Sequence, residues 1–152
     1  LLGSLERIGQ EKPENIAWGI GFGLLISLPF MIFYETLQGA SRLIFSGLSA
    51  GTLLAYLVFV APLAETLFFR GIMQRTTPFW MVGLLAAGWG VILFFPAMWT
   101  DIVGAPAVAV FLALTLAAVN LMYSYVRMRN GLAAAWLCQI TAGLILFFIP
   151  FL

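Results

Sequence analysis

Histidine is absent from the chain, cysteine occurs once, and Asp, Glu, Lys and Arg together make up only 9% of the residues. Each shortage closes off a class of function. Without histidine, the commonest metal ligand and the usual proton shuttle at neutral pH are both missing. A metal site built from Glu65 and Asp101 alone is short of ligands, and the two fall at opposite ends of the membrane spans set out below. No metal and no cofactor are therefore expected, and the aromatic residues do not require a pigment. Cys138 has no partner for an internal disulfide and reads as a small buried hydrophobe. Seven basic against six acidic residues leave a net charge of +1, without the concentrated basic face that nucleic-acid binding needs.

What the chain has in abundance is apolar surface. Hydrophobic residues make up 63% of the sequence and mean hydropathy is +1.08, whereas a soluble domain carries roughly a quarter charged residues. The expectation is a single membrane domain over residues 1–152, an all-α bundle of about five transmembrane helices. About twenty apolar residues cross a hydrocarbon core of about 30 Å, and such runs fall at Ile16 to Tyr34, Leu48 to Phe69, Phe79 to Met98, Pro106 to Val126 and Leu132 to Leu152. The stretches "ETLQGASRLIFSG", "RGIMQRTTP", "WTDIVGA" and "RMRNG" read as polar connections. A short interfacial helix precedes Pro13, because the residue ahead of a proline is steered out of helical geometry. No signal peptide is assigned, since the chain opens on Leu1 without Met.

Five spans put Arg7, Lys12, Arg70, Arg75, Arg127 and Arg129 on the N-terminal side and Arg42 alone on the other. By the positive-inside rule the N-terminus faces the cytoplasm, or its equivalent in an organelle, and the C-terminus the opposite side. Gly19 and Gly23, and again Gly47 and Gly51, have the G-x-x-x-G spacing that lets helix backbones touch, within the bundle or against a partner protein. Trp18, Trp80, Trp99 and Trp136 lie near span ends, where indoles collect, while Trp89 lies mid-span.

Within "VAPLAETLFFRGIMQ", Glu65 and Arg70 stand at the end of an apolar run. An ionisable residue in a membrane span by default faces the bundle interior and has a partner. Pro62 strengthens that expectation, because it removes the hydrogen bond to the Val58 carbonyl and leaves a polar group to be answered locally. Glu65, Asn120 and Gln139 fall at similar depths, and one interhelical polar network among the three is expected, with Glu65 protonated so that the network carries no net charge. On an α-helix Arg70 lies about 140° around from Glu65, so it is placed instead at the cytoplasmic mouth, near the C-terminal end of the second helix.

The stretch "PLAETLFFRG" resembles the first motif, E-E-x-x-x-R, of the CPBP family, the CAAX protease and bacteriocin-processing intramembrane endopeptidases. Pro62, Glu65, Arg70 and Gly71 fit, and Thr66 stands in place of the second glutamate. "VILFFPAMW" is similar to the family's F-x-x-x-H helix, and "MYSYVRMRNGLAAAWLCQITAG" to the segment ending in H-x-x-x-N or H-x-x-x-D, so that the likeness covers about residues 56–147. In the family the glutamate is held to activate water, while the histidines and the Asn or Asp bind, polarise or stabilise the oxyanion. Here the matching positions are Met98 or Trp99, Gln139 and Gly143. Loss of one oxyanion donor typically costs a hundredfold or more. The resemblance thus implies a degenerate, non-catalytic member, an accessory, scaffolding or partner-stabilising subunit of a membrane complex. The alternative is a residual glutamate-dependent endopeptidase. A straight third span would also put Met98 near the far interface, away from Glu65 and Gln139.

Overall fold

The computed structural model describes residues 12–152; the interfacial helix expected ahead of Pro13 lies outside them. Among the described residues the fold is all-α, with five helices long and apolar enough to cross a membrane: α1 Pro13–Ile44, α2 Ala50–Arg75, α3 Phe79–Gly104, α4 Pro106–Asn130 and α5 Leu132–Phe151. Helix α1 packs most extensively on α5, α3 on α4, and α4 on α5, while α2 lies against α5 and α3. The chain turns between α1 and α2 at Gly47, φ 89°, and between α4 and α5 at Gly131, φ 109°. Both are left-handed conformations that glycine adopts without a steric penalty.

The prolines explain where the helices depart from α geometry. Pro13 and Pro106 open helices at positions that need no N–H donor. The four mid-span prolines instead accompany turns of another pitch: 3-10 segments carry Pro29 (Leu28–Phe33) and Pro96 (Phe95–Met98), and π-helical turns precede Pro62 (Tyr56–Val60) and Pro150 (Leu144–Phe148). A proline ring clashes with the carbonyl four residues back and cannot donate to it. Widening the preceding turn lets Ala61 bond Tyr56 and Ile149 bond Leu144, five residues back in each case.

All four stretches expected to be polar connections are largely helical, with Trp99–Gly104 extending α3 and Arg127 to Asn130 ending α4. The stretch after Phe33 forms an α-helical segment, Tyr34–Ile44, that buries Leu37, Ala40 and Ser41 while Glu35 and Arg42 point outward. It packs on the Phe95–Met98 turn and the C-terminal end of α5. A hydropathy window as long as a span averages such a short amphipathic helix away. The break at Pro29 has a simple cause, since 32 residues of straight helix would run about 48 Å across a core of about 30 Å. At the other side α2 continues as helix to Arg75, six residues past the expected end at Phe69.

The glycines divide. Gly19 and Gly23 face α5 so closely that an added Cβ would overlap the Ala134 backbone at Gly19, and would lie 2.7 Å from the Thr141 Cβ and 2.8 Å from the Cys138 carbonyl at Gly23. Gly47 and Gly51 do not form a packing motif. Gly47 belongs to the turn rather than a helix, and no close neighbour stands over either residue. Cys138 is fully buried in the core shared by α1, α4 and α5.

Candidate functional site

The polar interior is built on α2. Over Thr66–Ile72 this helix is π-helical, and Met73 donates to the Phe68 carbonyl five residues back. In such a turn residue i+5 comes back beneath residue i. Arg70 therefore lies on the face of Glu65, not about 140° away as α geometry would have it. It does not sit at the cytoplasmic mouth: its side chain is fully buried, at 0% exposure.

Around Arg70 the structure brings together Glu65, Thr66, Asn120 and Gln139. Arg70 donates from Nη1 to Gln139 Oε1 at 3.2 Å and from Nη2 to Asn120 Oδ1 at 2.6 Å. Thr66 Oγ1 donates to the same Gln139 oxygen at 3.0 Å. On its other side, Gln139 Nε2 donates to Glu65 Oε2 at 2.5 Å. The guanidinium carbon lies 5.1 Å from the ring centroid of Tyr123, within cation–π range. Helices α2, α4 and α5 are thus tied by one cluster, and Asn120 anchors itself by donating to the Leu116 carbonyl at 3.0 Å.

The direction of these bonds follows from charge. The Gln139 amide stands between a cation and a carboxylate, and only with its oxygen toward Arg70 and its NH2 toward Glu65 do all partners match. Glu65 is consequently an acceptor here. It does not donate to the amide oxygens of Gln139 and Asn120, which both belong to Arg70. The network expected among Glu65, Asn120 and Gln139 is thus centred on Arg70, with Glu65 relayed to it through the Gln139 amide. Just beyond it, Arg127 Nε donates to the Arg70 carbonyl at 3.2 Å and Gln74 Nε2 to the Ser124 carbonyl at 2.6 Å, joining the end of α2 to α4.

Beside the cluster is a cavity of about 50 Å³, lined by Glu65, Asn120, Tyr123 and Gln139 and by Tyr56, Pro62 and Gly143. From α3 it receives Ala86, Gly90 and Phe94. Met98, the position matched to a family histidine, is elsewhere: it is 2% exposed, lies on the 3-10 turn after Phe94, and packs with Leu37, Ile44, Leu112 and Leu146. Trp99 is 64% exposed. The helix does break at Pro96, but the break leaves Met98 against α1 rather than turning it toward Glu65. Phe45, Phe94 and Phe147, with centroids 5.7 to 6.0 Å apart, close the floor on that side.

Glu65 also lines a second recess, on the outside of the bundle. This groove of about 350 Å³ is walled by Ala64, Phe68 and Phe69 of α2 and Trp89 of α3. Among the described residues no group of three or more Cys, Asp or Glu side chains is placed to hold a metal ion. Comparison with family models, with curated proteins and with solved structures finds no match in any of the three.

The buried roles of Arg70, Thr66 and Tyr123 escaped sequence reasoning. For Arg70 the missing signal was the pitch of α2, which no motif spells out. Tyr123 is three residues, about one turn, from Asn120 on α4, and that spacing is the signal that could have found it.

Proposed function

We propose that this chain is a non-catalytic integral membrane protein that scaffolds or stabilises a membrane-protein partner, built on the architecture of the CPBP endopeptidases that its first motif resembles. The observation that carries this reading is the wall opposite Glu65. The positions of α3 that face it are Ala86, Gly90 and Phe94, none of which offers a side-chain donor to a developing oxyanion. Gln139 is already committed at both ends, to Glu65 and to Arg70 and Thr66. A carboxylate so placed is a member of a structural cluster.

The second reading, a residual glutamate-dependent endopeptidase, draws support from the cavity itself, which is large enough for water. Incubating the purified protein with prenylated and transmembrane peptides separates the two. The scaffold reading expects no cleavage, whereas turnover that disappears in Glu65→Gln would favour the peptidase.

We further propose that the N-terminus faces the cytoplasm or its equivalent. With Arg70 buried, the count of six basic residues on that side falls to five, still against Arg42 alone. Impermeant thiol labelling of Thr77→Cys and Ser46→Cys, in the α2–α3 and α1–α2 turns, tests it: cytoplasmic labelling is expected at position 77 and not at 46.

A further inference from the structure

Away from the Arg70 cluster, a groove of about 560 Å³ opens between the start of α1 and the end of α4, lined by Trp18, Phe22, Tyr125, Met128, Arg129 and Asn130. Its chemistry is graded. Arg129 and Asn130 are the last two residues of α4, a helix apolar enough to cross a membrane, and the chain turns at Gly131 directly after them. About one turn further inside, the wall is aromatic: Trp18 and Phe22 of α1 have ring centroids 5.7 Å apart, and Phe22 meets Tyr125 of α4 edge-on at 6.1 Å. Polar groups at the helix end and rings a turn within follow the order in which a bilayer passes from headgroup to acyl chain.

Charge decides what the polar end takes. Arg129 is exposed, and among the described residues it makes no hydrogen bond, ion pair or ring contact. Arg70 and Arg127 are committed, the first to Asn120 and Gln139 and the second to the Arg70 carbonyl. Glu14, in the first turn of α1, neither lines the groove nor pairs with Arg129. The lining therefore holds one uncommitted cation and no carboxylate. A guanidinium presents a planar fork of donors that matches two oxygens of a phosphate. The Asn130 amide beside it can donate to the same group or exchange hydrogen bonds with a headgroup hydroxyl.

We propose that this groove binds an anionic phospholipid, with the phosphodiester on the Arg129 guanidinium and the glycerol and upper acyl chain against Trp18 and Phe22. Free phosphate shares the charge but has nothing to lay on the aromatic wall. A zwitterionic lipid brings an ammonium group that no carboxylate of the lining receives. The site is independent of the Glu65 cluster and goes beyond the scaffold reading.

The test reads tryptophan fluorescence of the full chain in phosphatidylcholine vesicles, at about 0.15 M salt so that charge effects beyond about 8 Å are screened. A minor fraction of the lipid is phosphatidylglycerol or phosphatidylcholine brominated on the upper acyl chain, which quenches a nearby indole. The signal of Trp18 is the difference between the parent and Trp18→Phe. Brominated phosphatidylglycerol is expected to quench it with about fivefold higher apparent affinity than brominated phosphatidylcholine, the factor that one basic residue contributes at an anionic surface. Arg129→Gln should remove most of that preference. Arg75→Gln, which removes the same charge from the end of α2, outside the groove, should leave it. Equal quenching by the two lipids, a preference that survives Arg129→Gln, or an equal loss in Arg75→Gln each overturns the proposal. So does abolition of the preference by excess inorganic phosphate, which would mark the site as one for the free anion.

Discussion

Glu65 and Arg70, five residues apart on α2, share one face of the helix because the turn between them is π-helical, and the side-chain amide of Gln139 joins them without direct contact. A buried guanidinium is retained only where its charge and its donors are answered. Here Asn120, Gln139 and the ring of Tyr123 answer the two terminal nitrogens and the face of the group, while Arg70 Nε is buried without a hydrogen-bond partner.

Removing that cation should be the most damaging single change in the interior. Arg70→Met leaves the oxygens of Asn120 and Gln139 without their donor and Glu65 without its counter-charge, and breaking a buried pair typically costs about 3–5 kcal/mol. Arg70→Lys should recover little, because one ammonium cannot span two acceptors as a planar fork does. Thermal unfolding in one detergent checks both, and a Lys variant as stable as the parent would contradict the fork geometry.

Gln139→Leu, close in size, tests the relay from its centre. It removes the acceptor of Thr66 and Arg70 together with the donor to Glu65. A loss of about 1–3 kcal/mol is expected for partners left buried and unpaired. If Thr66→Val in the Gln139→Leu background costs as much as it does alone, the shared oxygen is not what holds Thr66.

The packing of α1 on α5 gives a positional prediction. Gly23→Val drives side-chain atoms into Cys138 and Thr141, whereas Gly21→Ala meets open space. The first should lower thermal stability by an overpacking cost of about 1–3 kcal/mol or more, and the second should be neutral or slightly stabilising. Similar effects at both positions would mean that α1 does not seat on this face.

At the α1–α2 turn the two glycines should diverge. Gly47→Ala forces an alanine into a left-handed backbone, at a cost of about 1–2 kcal/mol. Gly51→Ala, in the first turn of α2 with no crowding neighbour, should stabilise by up to about 1 kcal/mol through helix propensity. Equal losses at both would restore the packing motif that their spacing suggests.

Much of this architecture was legible in the residues. Long apolar runs and scarce charge give five spans, and the nearly equal depths of Glu65, Asn120 and Gln139 place them at one level. What was not legible depends on backbone pitch and on averaging. The π-helical turn at Thr66–Ile72 contains no proline and has no local signature, so α-helical angles sent Arg70 to the wrong side. The Tyr34–Ile44 segment is too short and too amphipathic for a hydropathy window. The residues of α3 that face Glu65 are alanine, glycine and phenylalanine, which look like any other apolar positions until the helices are packed.

The central claim is that Glu65 serves as the structural counter-charge of Arg70, and a double-mutant cycle between the two measures it most directly. Glu65→Gln keeps an acceptor for Gln139 but removes the charge. It should cost about 1–3 kcal/mol beside Arg70 and close to nothing in the Arg70→Met background, leaving a coupling of at least about 1 kcal/mol in thermal or denaturant unfolding. Losses that add to within about 0.5 kcal/mol would show the two residues to be independent and would contradict the account.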